Sequence, residues 1–177
     1  MINTYMRNYF KTLKKSAGFT LIELLVVIGI LGVLAAALIA TIDPFEQIKK
    51  ANDANKKNVA VEFLNANIRY YTTHNAMPWG DNASCATTGT LSDASAINCL
   101  TTLIADGELK GGFTTATNVL NQVQFFGGSN EVTACFLPES KSQQRDPNTK
   151  YNASGVLTTG CAGQSGGTAT NCYWCSL

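Results

Sequence analysis

Histidine is almost missing from this sequence: His74 is the one copy among 177 residues. That leaves little raw material for a histidine-built metal centre or a His-activated nucleophile. His74 itself follows the string RYYTT and reads as a helix-end residue, where a cation suits the helix dipole. A phosphate-cradling P-loop, a catalytic triad, a metal-ligand cluster and an internal repeat are also absent. The net charge of +1 gives no basic footprint for nucleic acid. Enzymatic function, a cofactor, a bound metal and direct nucleic-acid binding are therefore not expected.

Two further absences are local. Residues 1–18 contain Arg7, Lys11, Lys14 and Lys15 but none of the chain's 12 acids. An acid-free basic start before an apolar run is an export or membrane-insertion signal, with its positive charge held on the cytoplasmic side. Cysteine is absent up to Cys85, then occurs six times, at Cys85, Cys99, Cys135, Cys161, Cys172 and Cys175. An even number confined to an exported, Gly/Ser/Thr/Asn-rich region favours disulfides over free thiols.

What the sequence does have is a 24-residue apolar run, residues 19–42, whose single charge is Glu23. As a helix the run is about 36 Å long, enough for a hydrocarbon core of about 30 Å. A lone carboxylate there costs roughly 2.5–3.5 kcal/mol on insertion scales, so a partner is required. One is local: Thr20 and Glu23 have the spacing of a capping box, in which each satisfies the other's orphan N–H. Gly29 and Gly32 allow close helix packing and also loosen a helix.

Residues 43–75 change to soluble-helix composition. Pro44 either kinks a continuous helix or occupies the first turn of a second one. The stretch is polar to Asn58 and then carries Val59, Phe63 and Tyr70, with Leu64, Ile68 and Tyr71 beside them, the spacing of a buried helical face. The first half reads as solvated, and THNAMPWGD ends the helix. In residues 76–177, AINCLTTLIADGELKGGF predicts a short helix stopped at Gly107 or at Gly111 and Gly112. VLNQVQFFGGSNEVTACFL predicts a β-hairpin, CYWCSL a last strand, and PESKSQQRDPNTKYNASG a loop. Tyr70, Tyr71, Trp79 and Trp174 read as packing rather than a base-stacking platform. The fold class expected is α+β: a long N-terminal helix on a small antiparallel sheet, with disulfides in the C-terminal region.

The cysteine spacing excludes most alternatives. C-x-x-C at 172 and 175 lacks the βαβ setting of a redox dithiol. Cys135 and Cys161 are too far apart to supply the second close pair of a Cys₄ zinc site. Cys85 and Cys99 close a short loop and are expected to pair. The other four allow three connectivities, with strand adjacency favouring Cys135 with Cys172 or Cys175. RDPNTKYN offers oxygen ligands but not the acid density of a calcium loop.

The segment GFTLIE closely resembles the leader junction of type IV pilins and pseudopilins, over residues 14–43. The resemblance implies a cleaved leader, 1–18, ending at Gly18, and a mature chain beginning at Phe19 with an N-methylated amine. It implies cutting by a membrane prepilin peptidase, an assembly role for Glu23, and an inner-membrane pilus assembly platform. The product would be a helical homo-oligomeric filament, with the subunit held in the membrane before assembly and on the cell surface afterwards. Many such pilins have a proline where Ala40 stands here; this chain has Pro44 instead. A second reading is a pseudopilin of a type II secretion or competence apparatus. A third is an ordinary signal peptide cut after the A-x-A pattern Ala35–Ala36–Ala37 or before Thr41, releasing a disulfide-rich binding domain. The length of the apolar run and the charge of Glu23 weigh against the third.

Overall fold

A computed structural model describes residues 18–41 and 43–176. The expected basic leader, apart from Gly18, lies outside the described residues, as does Ile42. The chain divides into two compact units, residues 1–43 and 44–177.

In the first unit, helix α1 spans Leu21–Thr41. Its residues are mostly Leu, Ile, Val and Ala, and none is buried. Helical backbone leaves no unsatisfied group along such a run, the condition for stability in hydrocarbon.

The second unit opens with α2, Pro44–His74. Pro44 occupies the first helical position, where its missing N–H breaks no bond. The other end is closed by Asn75, which takes a left-handed φ of 52° and donates its N–H to the Tyr71 carbonyl at 2.8 Å. After it come α3 (Pro78–Asp81), β1 (Thr88–Thr90) and α4 (Ala94–Ala105). A 3₁₀ turn at Gly111–Thr115 and α5 (Thr117–Leu120) lead to β2 (Val123–Gly127) and β3 (Val132–Phe136). The remaining elements are α6 (Lys141–Gln144), β4 (Thr149–Tyr151) and β5 (Tyr173–Ser176). The five strands form one antiparallel sheet in the order β1-β2-β3-β5-β4. The fold is therefore α+β, as its periodicities indicated.

Strand alternation divides the sheet's side chains between two faces. Val123, Phe125, Val132, Ala134, Phe136 and Trp174 join Phe63, Leu64 and Tyr70 of α2 in the main core. Phe63 meets Phe125 edge-on, with ring centroids 5.3 Å apart. The opposite face holds a smaller cluster of Cys135, Tyr151 and Cys175, flanked by Phe126 and Tyr173. At the hairpin, the Trp79 ring lies where a side chain on Gly127 would stand, and its Nε1–H donates to the Gly128 carbonyl at 2.8 Å. Gly107, at φ 82°, ends α4 in a Schellman motif, with Glu108 N–H on the Leu103 carbonyl and Gly107 N–H on that of Ile104. Gly111 and Gly112 belong to the following 3₁₀ turn rather than to the helix stop.

Two expectations need correction. The first half of α2 is not simply solvated: Asp53 and Lys56 are buried, 2% and 3% exposed. They extend the stripe of Ala60, Phe63, Asn67 and Tyr70 backwards at spacings of three and four, while Ile68 lies exposed. The segment read as a loop after β3 contains α6 and β4. The polar side chains of α2 fix this segment in place. Asp53 accepts the N–H groups of Glu139 (2.9 Å) and Ser140 (2.7 Å), and Lys56 donates to Glu139 Oε1 at 2.5 Å.

Candidate functional site

The functional candidates in the first unit sit at one end of an unusually bare helix. Gly18, Phe19 and Thr20 precede α1, and Phe19 is 89% exposed. Thr20 is the capping residue. Its N–H donates to Glu23 Oε2 at 2.8 Å, its hydroxyl donates to the same oxygen at 2.8 Å, and Glu23 N–H donates back to Thr20 Oγ1 at 3.3 Å. This is the reciprocal capping box that the spacing indicated. The negative charge also lies in the first turn, where the helix dipole favours it.

Among the described residues, the bonds to the Glu23 carboxylate fall on Oε2. An ionised carboxylate offers about four acceptor positions over its two oxygens, so Oε1 keeps capacity for a further donor. Phe19 precedes Glu23 by four residues, about one helical turn. Cutting the chain after Gly18 would replace a neutral peptide N–H at Phe19 by a cationic amine at that spacing.

Beyond Glu23 the helix is apolar on every side. Ile22, Leu25, Ile28, Leu31, Leu34 and Leu38 on successive turns are all at least half exposed. A helix hydrophobic all round requires either lipid or other helices around it. At about 1.5 Å per residue its 21 residues reach about 31 Å, the thickness of a hydrocarbon core. Gly29 and Gly32 lie within it, and nothing stands within 4 Å of where a side chain on either would begin. Another helix could approach closely there.

In the second unit all six cysteines are paired. Cys85–Cys99 ties the segment before β1 to α4, Cys135–Cys175 joins residues directly opposite on β3 and β5, and Cys161–Cys172 closes the loop before β5. His74 stacks on Tyr70 with centroids 4.0 Å apart and brings Nε2 to 3.5 Å from Asp106. The Tyr70 hydroxyl is pushed up to about 12 by burial, reinforced by its hydrogen bond to Asp81 at 3.0 Å. In the RDPNTKYN segment, Asp146 Oδ1 accepts from Asn148 N–H and Asn152 Oδ1 from Ser154 and Val156 N–H, so these oxygens are used in local turns. No group of three or more His, Cys, Asp or Glu side chains is placed to hold a metal among the described residues.

Sequence reasoning missed the Asp53–Lys56–Glu139 anchor. The Lys56 hydrogen bond holds the Glu139 carboxyl below the usual carboxylate range. The available signal was the heptad stripe of α2, which continues through Asp53 and Lys56 without a change of phase.

Comparison with known proteins bears on the first unit. Residues 13–39 match the family model described as the prokaryotic N-terminal methylation motif. No curated protein and no solved structure matches the chain. The matched residues include the Gly18–Phe19 junction, the capping box and most of α1. In that motif the leader is processed by prepilin peptidase, and the apolar helix that follows serves membrane anchoring and assembly. Over residues 13–39 this chain thus carries the N-terminal motif that type IV pilins and pseudopilins share.

Proposed function

We propose that this protein is a structural subunit of a type IV pilus-like filament. Residues 1–18 are a leader on the cytoplasmic side, removed by prepilin peptidase, which leaves Phe19 as an N-methylated first residue. Residues 19–42 anchor the subunit in the cytoplasmic membrane. Residues 43–75 and 76–177 stand outside it, as the second part of the helical region and the globular disulfide-bonded domain. An inner-membrane assembly platform then moves the subunit into a helical homo-oligomer at the cell surface.

The observation that carries this reading is an all-round apolar helix whose one charge sits at its N-terminal turn. Ordinary anchoring makes no use of Glu23. Assembly does, because the new amine of an incoming subunit supplies the missing countercharge, either within its own chain or against a neighbour. A mispaired carboxylate in a low-dielectric bundle is costly, so the pair selects the axial register. Apolar area buried between helices, worth about 25 cal/mol per Å², offsets removal of the helix from lipid. Immunogold imaging of cells, with blotting of the sheared surface fraction, tests the proposal. Labelled surface fibres support it. Protein confined to a short periplasmic structure indicates the pseudopilin of a secretion or competence apparatus instead, and freely secreted monomer contradicts both.

A further inference from the structure

The bridges in the C-terminal region are nested. Cys135–Cys175, with a sequence separation of 40, encloses Cys161–Cys172, with a separation of 11, whereas Cys85–Cys99 stands apart. Thiols that cross a membrane in chain order meet in a different order. After Cys85 and Cys99, the next two to arrive are Cys135 and Cys161, and the last two are Cys172 and Cys175. Pairing by arrival therefore yields one native bridge and two non-native ones. The cost of closing a loop rises with its length, so Cys172 and Cys175, with two residues between them, meet readily in the unfolded chain. Once they pair, every sulfur is in a bridge and the chain holds no thiolate to start an exchange. Correction must also precede folding, because in the native unit Cys135, Cys161, Cys172 and Cys175 are at most 4% exposed.

We infer that this chain is a substrate of a thiol–disulfide isomerase on the outer side of the membrane, an inference that rests on the proposed export of residues 43–177. The enzyme's thiolate attacks Cys161 Sγ in the Cys135-to-Cys161 bridge, forming a mixed disulfide and releasing Cys135 as a thiolate. That thiolate attacks Cys175 Sγ, forming the native Cys135–Cys175 bridge and releasing Cys172. Cys172 in turn attacks Cys161 Sγ in the mixed disulfide, forming Cys161–Cys172 and restoring the enzyme's thiolate. Each broken S–S bond is replaced by another, so no oxidant or reductant is consumed.

The test exports the full chain in cells with and without a disulfide isomerase, blocks free thiols with N-ethylmaleimide, and maps the bridges by mass spectrometry of unreduced digests. The nested pair should be the main species with the isomerase and a minor one without it, replaced by peptides joining Cys135 to Cys161 and Cys172 to Cys175. Equal yields of the nested pair in both strains would overturn the inference. An intact Cys85–Cys99 bridge reports export independently, and six free thiols in both strains would overturn the export reading and this inference with it. In the C161S/C172S double variant pairing by arrival gives Cys85 with Cys99 and Cys135 with Cys175, both native, so its Cys135–Cys175 bridge should form equally in both strains; retained dependence on the isomerase would count against the mechanism. Should that variant not fold, the reduced full chain in detergent, reoxidised by glutathione disulfide, gives the same answer. Added isomerase should speed the nested pairing, and an unchanged rate would contradict the inference.

Discussion

Thr20 and Glu23 satisfy each other across the first turn of α1, through two bonds to Glu23 Oε2 and one returned to Thr20 Oγ1. This pairing explains how a carboxylate is tolerated at the edge of an apolar helix. It does not by itself require a carboxylate, because glutamine also completes a capping box.

That difference separates capping from assembly. E23A loses both the cap, worth about 1 kcal/mol, and the charge, whereas E23Q retains the cap and loses only the charge. Both variants are expected to insert and be cleaved, and both to be missing from the sheared filament fraction while accumulating in membranes. Normal filament yield from E23Q would reduce Glu23 to a capping residue.

The anchor between α2 and the segment after β3 sets an acid limit on the second unit. Lys56 lowers the Glu139 carboxyl in the folded state, so this contribution is present above the ordinary glutamate range and is lost as pH falls through the lowered value. Denaturant midpoints of the full chain in detergent should therefore decline below about pH 4.5. K56M should remove that part of the decline and cost about 3 kcal/mol at neutral pH, because Asp53 stays buried without its cation.

Tyr70 sets a limit at the other end. Its hydroxyl is raised to about 12 in the folded state, so the stability it contributes is full below the ordinary tyrosine value and is lost as pH rises toward 12. Y70F should flatten the alkaline limb of the stability profile and cost about 1 kcal/mol at neutral pH through the lost bond to Asp81. An unchanged alkaline limb in Y70F would contradict this assignment.

The two nested bridges should differ in worth. Loop-closure entropy makes the 40-residue separation about 1 kcal/mol more stabilising than the separation of 11. C135S/C175S should accordingly lower the melting temperature of the full chain more than C161S/C172S does. The reverse order would show that strain or residual structure outweighs chain entropy.

Legibility in the sequence followed the range of the interactions. Local signals read through directly: the capping box at Thr20 and Glu23, and the alternation of Val123, Phe125, Val132, Ala134 and Phe136; the helix stop was legible as Gly107 or Gly111–Gly112, and Gly107 takes it. Features created by distant partners did not. Lys56 reads as a solvated lysine until Glu139, 83 positions later, lies beside it. Strand β4 is three residues long, and pairing along the edge of β5 makes it a strand. Pairing among Cys135, Cys161, Cys172 and Cys175 depends on which strands become neighbours, and local spacing carries no information about that. The methylation motif matches residues 13–39, which include most of α1, while no solved structure matches the chain.

In the proposed function, a cut after Gly18 creates the charge that Glu23 meets. Intact-mass and N-terminal peptide mass spectrometry of the mature protein tests it most directly. The expected mature chain begins at Phe19 with one methyl group on its α-amine. A mature N-terminus at Leu38 or Thr41, or a chain still beginning at Met1, would contradict it.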